Sequence, residues 1–154
     1  MTLFTNGFVT LKTPEGFDAI PNKGDFVELS LVNPNIPMTV KFSIAPTFVG
    51  LPDIKNAMEE QLNSNPKINV ETADFIAIND DIYYMVISSI ATEKSEIKRN
   101  EFMFVKDNNL YSFEFVYPYA DAELDDFYLN IIRSMEIKKP KYVVSDEGYK
   151  INDE

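Results

Sequence analysis

Aromatic and other side chains alternate along the first part of the stretch from residue 101 to residue 138. Aromatic side chains recur there at every second position, which predicts two strands that each present one aromatic face. The segment between them, Lys106–Asn109, is typical of a tight turn because Asp and Asn tolerate left-handed backbone. The aromatic positions are Phe102, Phe104, Tyr111, Phe113, Phe115 and Tyr117.

An apolar stripe with helical spacing follows these two strands. Asp121 is a suitable N-cap for that helix, because its carboxylate can accept hydrogen bonds from the first free backbone N–H groups. An aromatic sheet face and an apolar helix stripe both lose contact with water when they pack together, so we expect this contact to form the core. The stripe consists of Leu124, Phe127, Tyr128, Ile131, Ile132 and Met135.

The rest of the chain reads as strands interrupted by one further helix. Pro52 suits the first turn of that helix, where its missing N–H costs nothing, and the helix ends near Asn63. Gly7 is a candidate bulge within the first strand. Strands are predicted at Leu3–Leu11, Asp25–Val32, Met38–Ala45, Ile68–Ile78, Ile82–Ala91 and Ile97–Val105.

The resulting element order is β-β-β-α-β-β-β-β-α. Short turns between consecutive strands favour antiparallel pairing, so the predicted class is α+β: an antiparallel sheet of about six to seven strands with two flanking helices. We expect one domain over residues 1–138, followed by a polar acidic tail over residues 139–154. In that tail, Tyr142–Val144 and Tyr149–Ile151 either pair as a small hairpin or remain a loose extension.

The residue composition excludes several classes of enzyme mechanism. The 154 residues include no Cys and no His, which excludes disulfides, thiolate nucleophiles, Cys/His zinc sites and Ser-His-Asp triads. The five glycines form no phosphate-binding loop, and the acidic pairs are adjacent in sequence, so their carboxylates do not converge. No calcium-loop spacing occurs. The sequence therefore predicts no catalytic residue, no cofactor and no metal, and a protein that is not an enzyme.

The net charge limits the class of partner. Asp and Glu number 25 against 14 Lys and Arg, which gives a formal charge of −11. Such a chain repels phosphate backbones, so nucleic acid is not an expected partner. No apolar run approaches the roughly 20 residues of a membrane helix, and the N-terminus lacks the pattern of a secretory leader. A cytoplasmic location is therefore expected, unless a leader has been removed.

A candidate binding surface comes from the strand Ile82–Ala91, which is apolar on both faces. Such a strand either lies in the interior of a sheet or faces a partner. Tyrosines join an apolar body to a polar tip and suit interfaces, although the same rings also fit a core under the last helix. The expected partner is a protein, and a second copy of the chain is one candidate. The proposed contact residues are Tyr83, Met85, Ile87, Tyr117 and Tyr119.

Three short segments carry a resemblance to a known family. A Pro-Glu-Gly-Phe turn at 14–17, the strand Leu-Tyr-Ser-Phe-Glu-Phe at 110–115 and the ending Ile-Ile-Arg-Ser-Met-Glu-Ile at 131–137 resemble the Mog/PsbP/DcrB-like superfamily. The resemblance covers about residues 3–138. The chain departs from the pattern at Phe17, where members often have Trp, and at Met135, where Phe is common.

The resemblance implies an antiparallel sheet flanked by helices, and it implies no reaction. The superfamily contains a Ran-release factor, a photosystem extrinsic subunit, bacterial envelope lipoproteins and the Eag-type chaperones that shield apolar segments of type VI effectors. Most members bind another molecule. The use of Asn, Ile and Lys favours a bacterial source. Fold-level likeness does not choose among these roles.

Three functional hypotheses follow. The first is a non-enzymatic protein-binding module, accessory or chaperone-like, that uses an exposed sheet face or edge. The second is an immunity or inhibitor protein whose acidic surface docks on a basic toxin, which requires the negative charge to cluster on one face. The third is a small-molecule-binding or hydrolytic enzyme with a pocket between the sheet and the C-terminal helix.

Overall fold

A seven-stranded antiparallel sheet forms the centre of the protein. A computed structural model describes residues 2–119 and 126–154. The helices are α1 (Leu51–Asn63) and α2 (Phe127–Arg133). The strands are β1 (Thr2–Thr5), β2 (Val9–Thr13), β3 (Asp18–Ala19), β4 (Val27–Asn33), β5 (Met38–Pro46), β6 (Ile68–Ile78), β7 (Asp81–Ala91), β8 (Glu96–Lys106), β9 (Asn109–Pro118), β10 (Glu136–Ile137), β11 (Tyr142–Ser145) and β12 (Gly148–Ile151).

The large sheet has the strand order β3-β4-β5-β9-β8-β7-β6. Its centre is the hairpin β8–β9, whose two turn residues Asp107 and Asn108 have positive φ values of 50° and 59°, as their types allow. This turn sets Phe102 opposite Phe113 on one side of the sheet. The predicted α+β class, the antiparallel sheet and the two helices are confirmed in the described residues.

One side of the sheet, which we call the aromatic face, carries most of the core. Its centre is formed by Phe42, Phe102, Phe113 and Phe115, each no more than 1% exposed. Helix α2 lies on this face, and the ring of Tyr128 is 5.1 Å from Phe102 and 5.4 Å from Phe115. The predicted packing of the C-terminal helix on the aromatic strands is therefore confirmed.

The last helix is shorter than its apolar stripe. It ends at Arg133, and Met135 follows it but still packs against the core. The predicted N-cap Asp121 and the first stripe residue Leu124 lie outside the described residues.

The N-terminal segment differs from the prediction of a single strand. Residues 2–13 form a hairpin in which β1 pairs with β2, and Gly7 lies in its turn with φ 87° rather than in a bulge. The side chain of Asn6 closes this turn, since its Oδ1 accepts hydrogen bonds from the backbone N–H of Phe8 at 2.9 Å and of Val9 at 3.0 Å. β10 then pairs with β2, which completes a second, three-stranded sheet.

The C-terminal segment forms the hairpin rather than the loose tail. β11 and β12 pair, with Val144 opposite Tyr149. The hairpin joins the core through Tyr142, which is 6% exposed and lies 5.9 Å from the ring of Phe26. Lys141, just before β11, forms an ion pair with Glu28.

Helix α1 packs on the opposite side of the sheet. Leu51, Ile54 and Met58 of α1 pack on Tyr84 of β7 and Met103 of β8. Pro52 lies in the first turn of this helix, as predicted. Neither described helix has the length and apolarity that crossing a bilayer requires.

Candidate functional site

Two of the five predicted contact residues belong to the core. Tyr83 is 3% exposed and Tyr117 is 1% exposed. The Tyr117 hydroxyl accepts a hydrogen bond from Nδ2 of Asn100 at 2.9 Å, which satisfies its polar tip inside the fold. Burial raises the pKa of Tyr83, and the charge of Asp81 adds to this. These rings stabilise the sheet and offer no surface to a partner.

The other three predicted residues reach the surface to different degrees. Met85 and Ile87 are half-buried on the aromatic face of β7. Tyr119 is 40% exposed, and its hydroxyl donates a hydrogen bond to Oε1 of Glu71 at 2.9 Å. The structure therefore divides the predicted set between core and surface.

The two-faced apolar strand owes its composition to its position. β7 lies between β6 and β8, second from the edge of the sheet. Tyr84 and Val86, both 0% exposed, lie under α1, whereas Tyr83 points to the aromatic face. Of the two explanations for this strand, an interior position is the one observed, although Ile82 at its start is 54% exposed.

A different surface is left uncovered, on the α1 side of the sheet. Seven strands spaced about 4.8 Å apart span about 29 Å, whereas one helix with its side chains is about 10 Å wide. Helix α1 therefore covers only part of this side. The remainder, which we call the open sheet face, consists of Lys41 and Ser43 of β5, Arg99 and Glu101 of β8, and Ser112 and Glu114 of β9, all half-buried.

The open sheet face contains a shallow cavity of about 240 Å³, lined in part by Lys41, Glu101 and Glu114. Glu101 and Glu114 are directly opposite each other on neighbouring strands. Arg99 joins them: its Nε lies 2.7 Å from Oε1 of Glu101, and its Nη2 lies 2.5 Å from Oε2 of Glu114. Lys41 forms no ion pair with a described residue.

The charges of this cluster depend on one another. Burial raises the pKa of Glu101; Arg99 acts against this shift and Glu114 adds to it. Burial lowers the pKa of Arg99, but Glu101 and Glu114 outweigh that effect and raise it. One guanidinium therefore holds two like charges at adjacent cross-strand positions, which would otherwise repel.

Replacement of Arg99 by Gln should expose this repulsion. We expect a loss of about 1–2 kcal/mol in the free energy of unfolding at pH 7, less than for a fully buried pair because the Arg99 side chain is 42% exposed. Without the cation, the pKa of Glu101 rises further above its unfolded value, so the variant should regain stability as the pH falls from 7 to 5. Urea denaturation at several pH values measures this.

The second substitution Glu101→Gln supplies the control for this prediction. In the Arg99→Gln background it removes the repulsion and should restore part of the lost stability at pH 7. A loss that is independent of pH, or unchanged by Glu101→Gln, would contradict the assigned cause.

The carboxylate pair was missed in the sequence, although a signal for it exists. The acidic pairs visible in the sequence are adjacent in the chain, whereas Glu101 and Glu114 are 13 positions apart. Once Asp107 and Asn108 are taken as the two turn residues, the hairpin register pairs position 101 with position 114. The predicted turn therefore implies that these two carboxylates lie opposite each other.

The arrangement has limited scope for catalysis. Both carboxylates of the open sheet face are held by the same guanidinium, whereas general acid–base work needs two groups with separate roles. The perturbed tyrosines lie in the core, where burial and Asp107 raise the pKa of Tyr111 to about 12, far from neutral pH. Among the described residues, no three His, Cys, Asp or Glu side chains form a group that could hold a metal ion. The cluster is suited to recognising charge.

The fold is a Mog/PsbP-like α+β fold, as the sequence resemblance implied. The solved cyanobacterial PsbP protein CyanoP from Synechocystis is similar with a TM-score of 0.68 and 10% identity, covering 88% of this chain and 91% of that one. The Ran-binding protein Mog1p of Saccharomyces cerevisiae is similar with a TM-score of 0.61 and 11% identity, covering 86% and 92%.

A third similar structure is an immunity protein. TplEi of the type VI secretion system of Pseudomonas aeruginosa has a TM-score of 0.55 and 11% identity, and the match covers 75% of this chain but 46% of that one. No protein-family model matches the chain, and no curated protein matches it in sequence. At these identities the likeness shows the fold alone.

Proposed function

We propose that this protein is a non-enzymatic protein-binding module, accessory or chaperone-like, that holds a protein partner on the open sheet face. The observation that carries the proposal is the uncovered part of the large sheet, where α1 is too narrow to extend. It presents a cation, Lys41, beside the Arg99–Glu101–Glu114 cluster, so a partner with complementary charges would be held in one orientation.

The similar structures support this proposal only because some of them bind a protein or a peptide. Mog1p is named as a Ran-binding protein, and TplEi has been solved with a bound peptide. The same fold therefore serves protein and peptide recognition in other chains. A fold does not fix a partner, and the partner of this chain must follow from its own surface.

The distribution of acidic residues does not favour the immunity hypothesis. Exposed carboxylates occur in α1, in the β6–β7 turn and in the C-terminal hairpin, at Glu60, Asp80 and Glu147 among others. Clustered negative charge on one face is what a basic toxin would need. These three carboxylates lie in three different elements, which fits a general solubilising role.

The test compares partner retention by matched surface variants. Lys41→Glu reverses the charge on the open sheet face directly opposite Glu114, and Lys67→Glu makes the same change at an exposed position before β6. Immobilised proteins are exposed to extract from the source cells, and retained proteins are quantified by mass spectrometry. We expect at least one partner to bind the wild type and Lys67→Glu alike, and to be reduced about tenfold or more by Lys41→Glu.

A further variant tests the surface predicted from sequence. Met85, Ile87 and Tyr119 remain the proposed alternative contact, and the triple change Met85→Ser, Ile87→Ser and Tyr119→Ala alters it without touching the open sheet face. A partner lost only with this triple variant, or retained equally by all of them, would contradict binding at the open sheet face. If the partner is a second copy of the chain, sedimentation shows a dimer that Lys41→Glu dissociates.

A further inference from the structure

A second concave region lies on the other side of the molecule, between β2 and α2. It is a groove of about 450 Å³ whose apolar wall includes Pro14, Phe127 and Ile131. Two cationic side chains, Lys12 and Arg133, also line it. This size falls within the range of small-molecule sites, roughly 300–1,000 Å³.

The walls of this groove are tied together by hydrogen bonds. The backbone N–H of Lys12 donates to Oγ of Ser134 at 3.0 Å, and this hydroxyl donates in turn to the carbonyl of Ile131 at 2.6 Å. The apolar end is fixed by the ring of Phe127, which stacks on Phe17 at 5.5 Å. The groove is therefore formed before any ligand arrives, which reduces the entropy cost of binding.

The charge of the groove is opposite to that of the chain as a whole. Lys12 and Arg133 are both exposed, and neither forms an ion pair with a described residue, although the formal charge of the protein is −11. Arg133 also gains from its place in the last turn of α2, where a cation faces the negative end of the helix dipole. No such benefit applies to Lys12 on β2.

We propose that this groove binds a small apolar molecule that carries a carboxylate. The apolar body would lie against Phe127 and Ile131, and the carboxylate would accept hydrogen bonds from Lys12 and Arg133. This site is independent of the proposed protein-binding role, because α2 lies on the aromatic face and the open sheet face lies on the other side of the sheet.

The experiment uses three simple probes with the intact protein: octanoate, 1-octanol and acetate. Binding is followed by NMR through the methyl resonances of Ile131, in the groove, and of Met58, in α1. We expect octanoate to shift Ile131 but not Met58, octanol to bind about tenfold more weakly, and acetate to produce no measurable shift.

Two double variants with the same change in charge isolate the role of the cations. Lys12→Gln with Arg133→Gln should weaken octanoate binding about tenfold and leave octanol binding unchanged. Lys67→Gln with Lys150→Gln, at exposed positions elsewhere, should leave octanoate binding as in the wild type. Equal affinities for octanol and octanoate, shifts at Met58, or equal loss in both double variants would each overturn the proposal.

Discussion

Replacement of Phe102 by alanine is expected to lower the free energy of unfolding by about 4 kcal/mol. The ring is 0% exposed and lies at the centre of the aromatic face, between the ring of Tyr128 on α2 at 5.1 Å and that of Phe115 on β9 at 6.2 Å. Its removal leaves a cavity where sheet and helix meet, and neither element can close it without moving. Urea denaturation followed by circular dichroism measures the loss.

A matched change at the surface separates this effect from a general cost of losing a phenyl ring. Phe75 on the edge strand β6 is 40% exposed and touches Tyr84 with a ring distance of 5.7 Å. Phe75→Ala should cost about 1 kcal/mol. If Phe102→Ala cost no more than Phe75→Ala, the aromatic face would not be the main source of stability.

The central part of this fold is determined by residues that are close together in the sequence. The turn at Asp107 and Asn108 and the alternation on either side of it determine the register of β8 with β9. The position of α2 follows because its stripe has one large apolar surface to cover. These elements depend on neighbours in sequence, so pattern and turn chemistry were enough to predict them.

The second layer over the aromatic face could not be predicted in the same way. β10 has two residues and pairs with β2, more than 120 positions earlier, through the pair Glu136 and Thr10. A strand of that length has no periodicity to detect. Its pairing with β2 is a long-range contact, which a local pattern does not encode.

The candidate site also has a part that the sequence predicts and a part that it does not. Whether Tyr83 and Tyr117 contact a partner or the core depends on which element packs over them. The alternation of side chains predicts the face of the sheet on which a residue lies, but not what packs on that face. The open sheet face, in contrast, follows from dimensions: one helix of 13 residues stands against a seven-stranded sheet. The aromatic face has α2, the small sheet and the C-terminal hairpin to cover it, whereas on the other side α1 is the only described helix and the segment 20–23 lies beside Ser30 and Lys41.

Replacement of Asn109 by Asp is expected to destabilise the protein by about 3 kcal/mol and to release the C-terminal hairpin first. The Asn109 side chain is 0% exposed and acts as a bridge between β9 and β11. Its Oδ1 accepts from the backbone N–H of Tyr142 at 3.0 Å, while its Nδ2 donates to the carbonyls of Tyr142 at 3.0 Å and Asp107 at 2.8 Å. A carboxylate keeps the shape but loses both donated hydrogen bonds and places a negative charge beside two carbonyl oxygens.

The order of unfolding makes this prediction specific. Because Asn109 connects the hairpin to the sheet, the amide protons of β11 and β12 should exchange faster in Asn109→Asp while those at the centre of β8 remain protected. Burial should raise the pKa of the new carboxyl, so stability should recover in part as the pH falls and the carboxyl takes up a proton. Asn69→Asp makes the same chemical change at an exposed position of β6 and should cost under about 0.5 kcal/mol. Uniform loss of protection across β8 and β11 would show that Asn109 supports the whole sheet and not the attachment of the hairpin.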